Sequence, residues 1–212
     1  MARIFLLSPA NCAGVRAQII MQAGAGFELA RRLRGPRGAP LGEIFSFVSG
    51  LYFRGKLAYA RAFAAPPDPG CPLTGEGILV ITPGAGLLPP STAVTLAALR
   101  AFARVHVDPA DPRYRRPLVE AARMVARQID AACDVVLLGS VASTKYVEIL
   151  SSLFGERLKF PPDFVGRGDM SRGGLMLRCV AADTELPYVP VAGAAVRGPR
   201  PPRLSPLRRT PA

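Results

Sequence analysis

The sequence predicts a three-layer α/β domain in which helices cover both faces of a central, mostly parallel sheet. Three observations support this fold class. Apolar runs at 4–8, 77–82 and 135–138 have the length and composition of strands that are buried on both faces. Each run ends in glycine, proline or small hydroxyl residues, and segments with helical spacing follow. Buried strands that alternate with helices are typical of parallel sheets.

The remaining elements follow from periodicity and turn residues. After the first strand, 9–16 reads as a loop that enters a short helix or turn. In chain order, the predicted helices are 27–33, 41–48, 53–63, 95–102 (capped by Thr95 or Ser91), 117–132 and one that starts after Thr144. Segments 175–180 and 186–191 flank a polar turn, which predicts an antiparallel hairpin at the C-terminal end. We therefore expect one domain over 1–196, followed by a flexible tail rich in proline and arginine over 197–212.

Composition excludes several classes of protein. The chain of 212 residues is half apolar, and it lacks the uninterrupted run of roughly 18 apolar residues that a membrane span needs. The apolar run Ile4–Leu7 is too short for a signal peptide, so we expect a cytoplasmic protein with no membrane partner. The four cysteines are far apart and His106 is the single histidine, which predicts neither a disulfide framework nor a zinc site. We expect no metal and no cofactor, and His106 is expected in a strand or loop.

The charge balance favours an anionic partner. The formal net charge is +12, and the tail contributes five arginines: Arg197, Arg200, Arg203, Arg208 and Arg209. The rest of the chain is still basic, which favours either an anionic small molecule or nucleic acid as the partner. A solvated basic surface is the alternative explanation.

Three loops that follow the predicted strands carry polar side chains. If the strands are parallel, all three loops open at one edge of the sheet, where ligands of α/β proteins bind. The residues of interest in them are Ser8, Asn11, Cys12 and Arg16 in the first loop, Thr82, Gly84 and Gly86 in the second, and Ser140, Ser143, Thr144 and Lys145 in the third. The third loop precedes a helix, whose first amides form an anion site, here next to a lysine. The alternatives are an ordinary helix start capped by Ser143 or Thr144, and for Cys12 a buried small side chain instead of a thiolate nucleophile.

A fourth candidate segment, 164–174, contains four glycines, two arginines and one aspartate, a composition that predicts an exposed loop and not a packed element. Arg167 and Arg172 suit contacts with phosphate or carboxylate groups. Asp169 is our candidate general acid, general base or nucleophile. A solvated turn that contains an arginine–aspartate ion pair is the alternative.

The helix after Ser49 is the last candidate. Phe53, Leu57 and Ala60 are expected to face the core, and Arg54 and Lys56 are expected to lie off that face. Tyr52 would then stack on a nucleobase beside basic side chains. A half-buried helix with solvated charges explains the same pattern.

Part of this region resembles a known family. The pattern Ser49-x-Leu51-Tyr52-Phe53-x-x-Lys56-x-x-Tyr59-Ala60, the strand at 78–82 and the loop Gly86-Leu87-Leu88-x-Pro90 are similar to an uncharacterised bacterial α/β domain family. The resemblance covers roughly residues 4–100. It implies a sheet like that of uracil glycosylases and a ligand related to nucleic-acid bases.

Together these features predict an enzyme that acts on a nucleoside, nucleotide or nucleic-acid base, as a metal-independent hydrolase or transferase. Hydrolysis or transfer at an N-glycosidic bond is the expected chemistry. Asp169, Arg172 and Asn11 are the expected catalytic residues. The expected substrate or anion ligands are Ser8, Cys12, Arg16, Tyr52, Ser140, Ser143, Thr144, Lys145 and Arg167. The alternative function is a non-catalytic module that binds nucleic acid through its basic surface.

Overall fold

A six-stranded sheet forms the centre of the molecule. The computed structural model describes residues 1–195, 197–202 and 204. The strands are β1 (Arg3–Leu7), β2 (Ala39–Pro40), β3 (Ile78–Ile81), β4 (Leu87–Leu88), β5 (Ala93–Val94), β6 (Asp134–Leu138), β7 (Leu158–Phe160) and β8 (Val189–Pro190). The order across the sheet is β4-β3-β1-β6-β7-β8. The inner four strands run parallel, and the edge strands β4 and β8 run antiparallel to their neighbours. The mostly parallel sheet is thus confirmed; β2 and β5 form a separate antiparallel pair.

Helices cover both faces of this sheet, as the sequence predicts. They are α1 (Val15–Met21), α2 (Glu28–Arg34), α3 (Leu41–Ser49), α4 (Leu51–Phe63), α5 (Leu96–Ala103), α6 (Pro112–Gln128), α7 (Thr144–Phe154) and α8 (Asp169–Ala181). Alternate residues of the buried strands point to opposite faces. Phe5 and Leu7 therefore join a core with α1–α5 and α8, and Ile4 and Leu6 join a second core with α6 and α7.

Polar caps fix where several helices begin. The Thr95 hydroxyl accepts a hydrogen bond from the amide of Ala98 at the start of α5. At the start of α6 the Asp111 carboxylate accepts a hydrogen bond from the amide of Arg113. This cap places the start of α6 at Pro112, five residues before the predicted start, so that Pro117 lies inside the helix.

The predicted strand at 175–180 is wrong, because these residues belong to α8. Met176 and Cys179, three residues apart, are buried on one side of this helix, which is a helical and not a strand periodicity. The antiparallel pair at the C-terminal end exists, but β7 and β8 form it. The prediction of an unpacked loop over 164–174 is also wrong from Asp169 onward.

The beginning of the predicted tail contacts α8 and the turn before it. Arg167 donates a hydrogen bond to the carbonyl of Pro202, and the side chain of Leu204 lies next to Gly174. Val196, Arg203 and residues 205–212 lie outside the described residues, so the predicted flexibility of the tail stays a prediction for them. Among the residues that the structure covers, no helix has the length and apolar character needed to cross a bilayer.

Candidate functional site

The three polar loops start at the same edge of the sheet. Leu7, at the end of β1, pairs with Val80 of β3 and with Leu138 of β6, so these parallel strands end side by side. The amide of Ser8 then donates a hydrogen bond of 3.1 Å to the carbonyl of Leu138. The chain therefore leaves each strand next to the other two, at the edge where ligands of α/β proteins bind.

A cleft of about 880 Å³ opens at this edge. The predicted site residues that line it are Ser8, Asn11, Cys12, Tyr52, Ser140, Ser143, Thr144, Lys145 and Asp169. Lys145 and Asp169 thus face one space although they are far apart in the chain. The predicted ligands Arg16, Arg167 and Arg172 do not line the cleft, and Thr82, Gly84 and Gly86 of the second loop do not line it either; Pro83 represents that loop. The cleft also includes His106, in the loop after α5, to which sequence analysis gave no role in the site.

Tight packing holds the loop between β6 and α7 against the first loop. A Cβ atom on Gly139 would lie 2.8 Å from the Ser8 Cβ atom and 2.8 Å from the Tyr146 hydroxyl, so only glycine fits. The Tyr146 hydroxyl accepts a hydrogen bond from the Ser140 amide at 3.0 Å and donates one to the Ser140 carbonyl at 3.1 Å. Burial raises the pKa of Tyr146, which keeps this hydroxyl a donor. Ser143 caps α7, and Lys145 is exposed in its first turn.

The first loop presents Asn11 and Cys12. The Asn11 side-chain oxygen accepts a hydrogen bond from the amide of Ala13, which fixes the orientation of the side chain. The Cys12 thiol is buried next to the carbonyl of Ala10, and burial raises its pKa to about 12. Since the thiolate is the reactive form of cysteine, this environment favours a protonated, unreactive thiol.

Two helices that carry site residues cross at a pair of glycines. A Cβ atom on Gly55 of α4 would lie 2.6 Å from the carbonyl oxygen of Gly173 in α8, and a Cβ atom on Gly173 would lie 2.9 Å from the Leu51 carbonyl oxygen. The backbones of α4 and α8 are therefore in direct contact. This contact brings Tyr52 and Lys56 of α4 next to the first turn of α8.

The expectation that Lys56 lies off the core face is wrong. Lys56 is 1% exposed, whereas Arg54 is exposed as predicted. The ammonium nitrogen lies 2.6 Å from the Ser8 carbonyl oxygen and 2.8 Å from the Ser8 hydroxyl. It also lies 4.4 Å from the ring centroid of Tyr52. The sequence holds a signal for this position, because Tyr52, Phe53 and further apolar residues at helical spacing surround Lys56 on α4.

The environment of Lys56 destabilises its charged form. Burial lowers its pKa from 10.5 to about 7, Asp169 opposes this effect and Arg172 adds to it. Among the described residues, no carboxylate forms an ion pair with Lys56. Buried charges in proteins are normally paired, and strongly shifted groups in a cleft mark functional sites.

The phenol of Tyr52 has unused hydrogen-bonding capacity. Tyr52 is 7% exposed, and within the described part of the chain its hydroxyl has no hydrogen-bond partner. Ser8 and Arg172 lie close enough to lower its pKa, but burial is the larger effect and raises it. Lys56 covers one face of the ring, and the hydroxyl oxygen is itself buried, so the predicted stacking of a nucleobase on Tyr52 has no support here.

Asp169 and Arg172 occupy the first turn of α8. The Asp169 side chain is 68% exposed and lines the cleft, whereas Arg172 is buried behind it. Their nearest charged atoms are 3.6 Å apart, and the Arg172 Nε atom donates a hydrogen bond to the Phe164 carbonyl. Arg172 therefore positions Asp169 and does not reach into the cleft itself.

The other two predicted arginines lie outside this arrangement. Arg167 donates hydrogen bonds to the Asp163 carbonyl and to the Ser171 hydroxyl, on the side where the tail begins. Arg16 is an exposed residue of α1. Neither arginine lines the cleft. Since Arg172 does not line it either, the predicted contact of Arg167 and Arg172 with one anion does not fit this cleft.

Comparison with models of known protein families, with curated proteins and with solved structures finds no match. Within the described residues, no three metal-binding side chains come together. The cleft is therefore the feature of the molecule that bears on its function.

Proposed function

We propose that the protein is a hydrolase or transferase that acts on a nucleoside, nucleotide or nucleic-acid base. One observation carries this proposal: Lys145, in the first turn of α7, and the carboxylate of Asp169 line the same cleft. A nucleotide-like ligand needs a cationic site for its phosphate and a separate polar site at its sugar and base. The cleft, at about 880 Å³, lies within the usual range of roughly 300–1,000 Å³ for small-molecule sites.

The binding roles follow from the positions of the side chains. The amides at the start of α7, the Ser143 and Thr144 hydroxyls and Lys145 would hold the anionic group. The amide of Asn11 has both a donor and an acceptor, which suits the edge of a base.

Asp169 would act at the glycosidic bond. A carboxylate close to the anomeric carbon of the sugar can remove a proton from water as the water attacks, while the base departs with the bonding electrons and takes up a proton. Arg172 would act as a positioning residue, because it holds the carboxylate at the wall of the cleft.

The test measures release of free base. Purified protein is incubated with nucleosides, nucleotides and oligonucleotides that contain normal or damaged bases, and free base is quantified by chromatography. Asp169→Asn should lower the rate about 100-fold or more, the usual contribution of a positioned general base. Asp163→Asn is the matched control, because Asp163 is exposed and lies outside the cleft. Unchanged turnover in Asp169→Asn would refute the catalytic role of Asp169. If none of the substrates releases free base, the proposed function is refuted.

Exposed arginines support a second candidate, a module that binds nucleic acid. The outer side of α6 carries Arg115, Arg116, Arg123 and Arg127, all exposed. Such binding should weaken steeply as salt rises, because each phosphate contact releases counterions. A variant that lacks residues 197–212 should lose much of this affinity if the tail contributes, and should keep its turnover of small molecules.

A further inference from the structure

Ser8 and Lys56 form a buried pair that the proposed hydrolysis at Asp169 does not use. The Lys56 nitrogen is 2.8 Å from the Ser8 hydroxyl oxygen and 2.6 Å from the Ser8 carbonyl oxygen. Both residues are held rigidly, Ser8 by the end of β1 and Lys56 by the crossing of α4 and α8. A hydroxyl within hydrogen-bond distance of a candidate base is the geometric signature of an activated nucleophile.

The two residues differ in their access to the cleft. Ser8, 6% exposed, lines the cleft wall, whereas Lys56 lies behind it, 1% exposed, against the rings of Tyr52 and Phe53. The amine therefore has no path to a ligand. The atom that can meet an electrophile is the Ser8 hydroxyl oxygen, and Lys56 can act only through it.

We propose that Ser8 is a nucleophile and Lys56 its general base, and that the cleft accepts carboxylic or phosphoric esters. As the Ser8 oxygen bonds to the carbonyl carbon or phosphorus, the Ser8 proton passes to the Lys56 nitrogen. The bond to the leaving oxygen breaks, and that oxygen takes up a proton from water. Water then hydrolyses the Ser8 ester, and Lys56 returns its proton to the Ser8 oxygen to restore the serine. Serine–lysine pairs of this kind are a known variant of the serine–histidine arrangement.

The hydrogen bonds around Lys56 fit this role. A neutral amine can keep donating to the Ser8 carbonyl and at the same time accept the proton of the Ser8 hydroxyl. Burial supports the neutral form by lowering the pKa of Lys56 to about 7. The charged groups that influence Lys56 are Asp169, which favours its charged form, and Arg172, which disfavours it.

Tyr52 packs beside this pair. Its hydroxyl oxygen is buried and has no hydrogen-bond partner among the described residues, and its ring centroid lies 4.4 Å from the Lys56 nitrogen. Tyr52 therefore belongs to the wall that keeps water away from Lys56.

A fluorophosphonate probe tests this inference without a glycosidic substrate, so the result is independent of the base-release assay. Attack by Ser8 on phosphorus forms the Ser8–phosphorus bond and expels fluoride, and intact-protein and peptide mass spectrometry then locate the adduct. We expect one adduct, on Ser8, with a rate that rises with pH through about 7. Ser8→Ala should give no adduct. Lys56→Met should react more slowly than the wild type by a factor of about 100 or more. Ser152→Ala is the control, because Ser152 lies on α7, does not line the cleft and bonds to the carbonyl of Ile149.

Two results would overturn the inference. One is wild-type protein that carries no adduct on Ser8 between pH 6 and pH 9, and the other is Lys56→Met that reacts as fast as the wild type. The first result needs no variant, so a failure of Ser8→Ala to fold would not obscure it. Circular dichroism establishes that Lys56→Met is folded before its rate is compared.

Discussion

The glycine contact between α4 and α8 allows a sharp prediction about stability. In Gly55→Ala the new methyl group would lie 2.6 Å from the Gly173 carbonyl oxygen and 2.9 Å from its Cα atom. Normal contact between heavy atoms needs about 3.5 Å, so the helices must separate by up to about 1 Å. The obstacle is backbone and not a flexible side chain, which places the cost at the upper part of the usual ~1–3 kcal/mol for overpacking. The better helix propensity of alanine returns about 1 kcal/mol.

We therefore expect Gly55→Ala to lower the free energy of unfolding by about 2 kcal/mol and the melting temperature by roughly 4–8 °C. Urea denaturation followed by circular dichroism measures the first quantity. Gly174→Ala is the matched control, one residue from Gly173 on the same helix. Among the described residues its methyl group would meet only the Leu204 side chain, at 3.6 Å, so the variant should gain up to about 1 kcal/mol from propensity. A Gly55→Ala protein as stable as the wild type would refute the close approach of the two helices.

Two further predictions follow from buried titratable groups. Lys56 has a pKa of about 7 in the folded protein and about 10.4 when unfolded, so between these values the unfolded chain holds a proton that the folded protein has lost. Stability should therefore rise with pH from about 7 to about 10, by up to about 1.4 kcal/mol per pH unit, and Lys56→Met should remove this slope in urea titrations. Ellman's reagent should modify Cys71 first, because Cys71 is half-buried while the other three cysteines are buried, and the nearby Thr74 lowers the pKa of its thiol. Cys12, with a pKa of about 12 in place of 9, should hold roughly 1,000-fold less thiolate than an ordinary cysteine at neutral pH, and early modification of Cys12 would contradict its burial.

The strands of the central sheet could be predicted because burial on both faces leaves a continuous apolar run. The position of the cleft at this edge of the sheet could be predicted as well, since the loops after parallel strands must open on one side. The start of α6 was harder to place. Pro117 suggests the first turn of a helix, but the helix begins at Pro112, because Asp111 caps it there.

Helix α8 could not be predicted from local sequence. Glycines at 173 and 174 disfavour a helix by about 1 kcal/mol each, and the surrounding arginines and Asp169 favour a solvated loop. The compensating term is the contact of Gly173 with α4, more than 100 residues earlier in the chain. Only tertiary structure shows that one of these glycines is needed for close packing.

The position of Lys56 shows why the chemistry of the cleft was also hidden. A lysine inside an apolar helix face is ordinarily assigned to solvent, since burial without a carboxylate partner is costly. Its hydrogen bonds to Ser8 offset only part of that cost. At neutral pH an apolar residue of similar size would therefore stabilise the folded protein more. The fold therefore retains a side chain that weakens it, at the point where it touches a hydroxyl on the cleft wall. Groups that cost stability and meet at the wall of a cleft are characteristic of functional sites, and this is the physical reason to look for ester chemistry at Ser8 in addition to the reaction at Asp169.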